Sequence, residues 1–384
     1  MSTTVTLKKH RRASGMHPGQ LLFCALGGVC LFLILRHSDT AVTHMSRGLA
    51  LCVKTVIPSL FPFMVLSELI VSAGCGDLLG RLCERPMRYL FGISGAGACA
   101  LIMGMICGFP IGTKTALSLY RHGQITRKEC ARLICFCNIP SSAFLINAVG
   151  VSLFGSRRFG LILYALCLLT SMLIAWLFHL IQPLPKSENA SLPSESAIGI
   201  SAFTRAVTSS ATAMLYVCAY VVFFTALVGT LGEMLTGLGA GQSVIALLFG
   251  FFELSGGVMQ ASVISDPNSA RWIAALLCGW SGLSVHLQIL SLCDDLSDAA
   301  PVHAAAYFGC KLLQGGLCAL LCGLILYFLP PSRLSPWPSS TPPVTYMFTP
   351  QKIILICNAL LCFGGLTALS RHHQKKKSAD RPKG

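Results

Sequence analysis

The chain has 384 residues; 54% are hydrophobic, only 11% are charged, and the mean hydropathy is +0.69. A soluble domain carries roughly 25% charged residues, so an ordinary water-soluble enzyme and a disordered chain are both excluded, and an all-α polytopic membrane protein is expected. The net charge of +15 does not indicate nucleic acid: Lys8, Lys9, Arg11 and Arg12 at one end and Arg371, Lys375, Lys376, Lys377, Arg381 and Lys383 against Asp380 at the other supply +9 of it, and basic tails beside apolar helices are cytoplasmic anchors that also attract anionic lipid.

After the basic tail, 1–20, the apolar run Leu21–Leu35 is followed by Arg36-His37-Ser38-Asp39 and no small-x-small cleavage site. It reads as a retained first helix within 21–44. Four apolar runs follow in a first half, 45–181: Leu49–Ala73, Leu90–Tyr120, Ala131–Phe154 and Phe159–Ile181. A Pro/Ser linker, 182–205, leads to a second half, 206–330, with Ala206–Leu235, Ser243–Ile264, Trp272–Leu292 and Val302–Leu329. A Pro-rich linker, 331–350, a terminal helix, 351–370, and a basic tail, 371–384, complete the chain. A span takes roughly 20 apolar residues, so these runs predict about eight to ten membrane segments. The 19 cysteines sit mostly singly inside apolar runs, with no C-x-x-C and no Cys/His set at zinc spacing; they read as reduced, small apolar packers. No metal or cofactor is expected.

The halves resemble each other in their order of events. LIMGMICGFPIG (Leu101–Gly112) matches LLFGFFELSGG (Leu247–Gly257), with Gly104 against Gly250. Some 25 residues later each half breaks again, at CNIPSS (Cys137–Ser142) and at GWSGLS (Gly279–Ser284). Paired apolar segments interrupted by Gly or Pro in corresponding halves point to a transporter's binding site, because broken backbone at membrane depth persists only when buried in protein or lining a polar cavity. Charge counting favours six crossings with both tails cytoplasmic, and ten crossings invert the positive-inside rule. Eight crossings would make the halves inverted repeats.

Each break carries polar residues suited to the start of a half-helix: Thr113 and Lys114, then Asn138 with Pro140, Ser141 and Ser142, then Ser255, then Ser281 and Ser284 with Gln288 beyond them. Ser, Thr and Asn favour the N-cap and Pro the first helical position, and helix N-termini attract anions. Four converging N-termini with Lys114 beside one of them predict a site for a small anion; capping without a ligand is the alternative. Ionisable residues inside apolar runs are usually functional. Here they are Glu68, Lys114, Glu253, His286 and Lys311. Glu253 and Glu68 are the candidates for coupling to a proton or cation, with a pairing to Lys311 or to broken backbone as the structural alternative for Glu253. Pro58 and Pro62 are expected to kink the helix that carries Glu68.

The runs IPSLFPFMVLSELI (Ile57–Ile70), GFPIGTKTA (Gly108–Ala116) and CNIPSSAFLINAVGVSLFG (Cys137–Gly155), with ELSGG and GWSGLSVHLQ, resemble the sporulation integral membrane protein family, which carries the nucleoside-recognition, or Gate, domain. The resemblance spans about Met45–Pro330. The family includes a stage V sporulation protein implicated in moving dipicolinic acid. The resemblance therefore implies a bacterial integral membrane protein that moves dipicolinate from mother cell to forespore across the outer forespore membrane. A cavity with helix N-termini and a lysine suits this planar dianion; a neutral nucleoside would instead use Asn138, Gln288 and Glu253. Two further readings are a non-transporting assembly factor of the spore envelope and an intramembrane serine protease, with Ser281 of GWSG as nucleophile and His303 as base. The protease motif is short and recurs in GISG (Gly92–Gly95), so no enzymatic activity is expected. The expected partners are the lipid bilayer, a small anion and, for a homo-oligomer, further copies of the chain.

Overall fold

The computed structural model describes residues 18–184, 199–294 and 303–328. The basic tails, the inner part of the Pro/Ser linker, the Pro-rich linker and the terminal helix expected over 351–370 lie outside them. The described residues form an all-α membrane protein without strands.

The N-terminal part runs α1 (Pro18–Arg36), α2 (Ser38–Leu51), α3 (Ile57–Ser72) and α4 (Cys75–Phe91). A π-helical turn at Cys52–Val56 joins α2 to α3, whose Pro62 lies inside the helix. Proline removes an intrahelical donor, and a widened turn nearby is one way the backbone accommodates it. Left-handed Gly74 and Gly92 bracket α4. Next come α5 (Ala98–Cys107), α6 (Ile111–Arg121), α7 (Arg127–Phe136), a π-helix over Phe144–Leu153 and α8 (Arg157–Ile181). The second part runs α9 (Ile200–Gly237), α10 (Gln242–Phe252), α11 (Leu254–Ser262), α12 (Pro267–Trp280), α13 (Leu283–Asp294) and α14 (Ala304–Phe328).

Local signals set several of these ends. Thr126 and Glu129 form a reciprocal capping box that starts α7. The Ser156 hydroxyl accepts from the Phe159 N–H at the start of α8 (3.2 Å). Asp266 caps α12 with Pro267 next in line. Between α4 and α5 the chain turns by 94°. There the Glu129 carboxylate accepts from the Ser94 N–H and the Glu84 carboxylate from the Gly95 N–H, both at 2.7 Å. A Cβ at Gly95 would stand 2.0 Å from the Gly80 carbonyl oxygen, so only glycine fits this corner.

Among the described residues, four apolar stretches are individually long enough to cross a membrane: Arg157–Ile181, Ile200–Gly237, Pro267–Asp294 and Ala304–Phe328. The bent pair Leu79–Phe91 and Gly95–Cys107 makes a fifth if it is one crossing. The runs Leu90–Tyr120, Ala131–Phe154 and Ser243–Ile264 are cut into shorter helices, as their glycines and prolines predict, whereas Leu21–Leu35 lies within α1. Both parts show the same order: short helix, break, short helix, turn, short helix, break. A further short helix follows each second break, the π-helix in one part and α13 in the other, and a long apolar helix, α8 or α14, comes after it along the chain. The core mixes the two. Ile139, Leu145 and Val149 of the first belong to one buried apolar cluster with Leu254, Val258, Leu277 and Cys278 of the second.

Candidate functional site

In each half the two breaks touch one another. In the first, α5 and α6 are separated by Gly108-Phe109-Pro110, with a cis peptide before Pro110. The Phe109 N–H donates to the Ile139 carbonyl of the other break at 3.1 Å. Gly108 has φ +80°, and a Cβ there would lie 2.6 Å from the Ser141 nitrogen. In the second half, α10 and α11 are separated by extended Glu253, and α12 and α13 by Ser281 (φ 77°) and Gly282 (φ 85°). A Cβ on Gly282 would come within 2.9 Å of the Leu254 nitrogen. Glycines hold the flanking helices equally close. A Cβ at Gly104 would be 1.9 Å from the Cys137 carbonyl oxygen, and one at Gly257 would be 2.1 Å from the Gly250 Cα. Small residues allow this backbone approach.

The polar residues at the breaks are largely engaged with the breaks themselves. Asn138, fully buried, accepts the Thr113 N–H (3.1 Å) and donates to the Thr113 hydroxyl (2.7 Å) and the Ile134 carbonyl (2.9 Å). Ser141 accepts from the Phe144 N–H (3.2 Å), and Ser142 donates to the Ile106 carbonyl (3.4 Å). The Glu253 carboxylate accepts from the Ser255 N–H (2.9 Å) and the Gly256 N–H (2.6 Å). It is therefore the cap of α11. The expectation that this N-terminus faces a foreign anion meets a carboxylate already seated there, and the exposed Ser255 contributes its backbone rather than its hydroxyl. Ser281 donates to the Cys278 carbonyl (3.4 Å), and Ser284 accepts from Gln288 (3.2 Å). No hydrogen bond joins Ser281 to His303 among the described residues.

The two buried lysines differ in their counter-charge. Lys114 donates to the Ser210 hydroxyl (2.5 Å) and the Met64 carbonyl (3.4 Å), and its ammonium is 3.7 Å from the Glu68 carboxylate. Glu68 in turn accepts from the Ser118 hydroxyl (2.9 Å). Lys114 thus stands one turn into α6 with a carboxylate partner, not free beside the break, and Glu68 is that partner rather than an isolated acid. The adjoining cleft, lined by Lys114, Arg121, Ser209 and Leu292, holds about 20 Å³, room for roughly one water.

Lys311 of α14 is 1% exposed. It donates to the Asn138 carbonyl at the second break of the first half and to the Gln314 side chain (2.9 Å). Gln314 donates to the Cys167 carbonyl of α8 (3.3 Å). No carboxylate lies within ion-pair distance of Lys311 among the described residues. Fully buried His286 meets the Tyr307 hydroxyl through Nδ1 (3.0 Å), while its Nε2 makes no hydrogen bond. Sequence patterning singled out Lys311 only as an ion in an apolar run. Its signal is the i, i+3 pairing with Gln314 on one helix face; its place at the Asn138 break is a tertiary fact.

The chain matches the Gate family, described as nucleoside recognition, over residues 53–157. That match runs from the π-helical turn before α3, through both first-half breaks and the π-helix, to the start of α8. It is also 27% identical over 330 residues to the sporulation integral membrane protein YlbJ of Bacillus subtilis (strain 168), covering 76% of this chain and 79% of that one. No solved structure matches. The chain is therefore an integral membrane protein that is similar over residues 53–157 to the Gate family and over most of its length to a sporulation integral membrane protein.

Proposed function

We propose that the chain carries a small organic anion across a membrane of the sporulating cell, with dipicolinate, moved from mother cell to forespore across the outer forespore membrane, as its cargo. The observation that carries the reading is the double pair of broken helices, each pair in backbone contact, buried against one another in a mixed core. A static membrane scaffold gains nothing from four interruptions that each cost backbone hydrogen bonds. Separable half-helices are a recurring basis for alternating access around a central site. The membrane sporulation relative supports the cell type.

The Gate family's description favours a nucleoside as the second reading. The side chains that would serve a neutral nucleoside, Asn138, Gln288 and Glu253, are already committed to internal bonds. The buried Lys311 has no acid partner among the described residues. This balance favours an anion. The test is the dipicolinate content of spores lacking the protein, with rescue by the full chain. A normal content in the deletion strain refutes the cargo. Rescue by a chain that cannot move labelled dipicolinate in membrane vesicles would support an assembly role instead.

A further inference from the structure

We infer that Lys311 and His286 together form the binding point for a planar aromatic carboxylate, and that Lys114 does not. The inference rests on the anion-carrier reading above and names its site.

The contrast between the two lysines comes first. Lys114 is neutralised by Glu68 at 3.7 Å. Lys311, at least as deeply buried, has among the described residues only neutral acceptors, the Asn138 carbonyl and the Gln314 amide oxygen. A cation held in a low-dielectric interior without a counter-ion is unfavourable, and a carboxylate arriving from solution would supply the missing charge. The Asn138 carbonyl is the neutral stand-in for that oxygen. It belongs to a break, so it is the kind of group that moves aside when the half-helices part.

A second, independent observation points to a ligand. The Nε2 atom of His286 is buried without a partner. Its other nitrogen faces the Tyr307 hydroxyl at 3.0 Å. When that hydroxyl donates to Nδ1, Nε2 carries the proton and is a donor in need of an acceptor. Tyr307 precedes Lys311 by one turn of α14, so the same hydrogen bond brings His286 to the side of that helix that carries Lys311. The walls are aromatic: the Trp280 ring is 4.4 Å and the Phe308 ring 5.4 Å from the imidazole, centroid to centroid. The indole N–H is already satisfied by the Phe251 carbonyl and the Phe251 ring stacks on the indole, so the Trp280 side chain adds an apolar wall and no further donor. One cation and one ring donor among apolar rings match a flat anion that presents carboxylate oxygens to the polar groups and an apolar ring to the walls. A nucleoside would leave the lysine unmatched.

The site also joins the halves. Lys311 on α14 reaches the first-half break, and His286 lies on α13 directly after the second-half break. An anion bridging them would be gained or lost as the breaks move, which ties binding to conformational change.

The test is equilibrium binding of radiolabelled dipicolinate to the full chain in lipid nanodiscs, with benzoate and uridine as competitors. Lys311→Gln is expected to weaken binding by about 10- to 100-fold, the range for loss of a hydrogen bond to a charged group. His286→Phe is expected to weaken it less, and Lys114→Gln with Glu68→Gln to leave it within about threefold, a small change in free energy on the same scale. Benzoate should compete and uridine should not. Should Lys311→Gln fail to insert, alkylation of Cys310, the neighbour of Lys311, in otherwise wild-type protein provides the second measurement: dipicolinate should slow it and uridine should not. Dipicolinate binding unchanged in a folded Lys311→Gln protein, or no protection of Cys310, overturns this site alone. Benzoate binding that depends on Lys311, without any dipicolinate binding, keeps the site and refutes the cargo. Binding of uridine but of no carboxylate overturns both.

Discussion

Asn138→Ala tests whether the two first-half breaks are clasped by one side chain. The substitution removes three hydrogen bonds, two to Thr113 and one to the Ile134 carbonyl. Hydrogen bonds between membrane helices average about 0.6 kcal/mol each, which gives roughly 2 kcal/mol for the set. A comparable effect comes from the Thr113 N–H. It lies in the first turn of α6, where no carbonyl one turn back serves it, and Thr113 is fully buried. Leaving that donor without an acceptor adds about 1–3 kcal/mol. The expected loss is therefore about 3–5 kcal/mol, about half of it from a single orphaned backbone group. Asn138→Asp should recover part of the loss, because an acceptor for the Thr113 N–H remains. Ser142→Ala is the control. Its one contact, 3.4 Å to the Ile106 carbonyl, is long, and its removal should cost less than about 0.5 kcal/mol. Reversible unfolding of the full chain in bicelles, followed by steric trapping, measures all three. An Asn138→Ala protein as stable as wild type, or no more affected than Ser142→Ala, would show that the breaks are held by backbone packing and that the clasp is incidental.

Gly104→Ala and Gly257→Ala should each destabilise by about 1–3 kcal/mol or more, the range for overpacking, because the new methyl would meet backbone at 1.9 and 2.1 Å; equal stability of either variant in the same assay would contradict the close approach of the flanking helices. Lys114→Met alone should cost about 3–5 kcal/mol by leaving Glu68 buried without its cation, and adding Glu68→Gln should restore much of this; an additive double-mutant cycle would rule out the pair. Glu253→Ala should cost about 0.5–2 kcal/mol as a lost N-cap, whereas Glu253→Gln transport, measured in proteoliposomes, should keep its pH and sodium dependence, since both carboxylate oxygens already serve α11; a changed dependence would assign Glu253 to coupling.

The class of this protein and the positions of its interruptions were legible in the amino-acid order because both depend on local properties. Few charges over long apolar runs require lipid, and a glycine or proline inside such a run changes backbone geometry whatever surrounds it. Gly108, Pro110, Gly256 and Gly282 mark breaks for that reason. What each polar side chain faces is another matter. Glu68 is brought to Lys114 from another helix, and the Asn138 carbonyl lies 173 residues from the Lys311 that it satisfies. No periodicity within one helix encodes such a pairing. Lys114 and Lys311 look alike as single cations in apolar runs; only the packing of α3 on α6 and of α14 on α7 gives one a carboxylate and the other a peptide carbonyl. Which of the two charges has a carboxylate partner among the described residues was therefore decided by tertiary structure, because the cost of a buried ion depends on which neighbours the fold brings within a few ångströms of it.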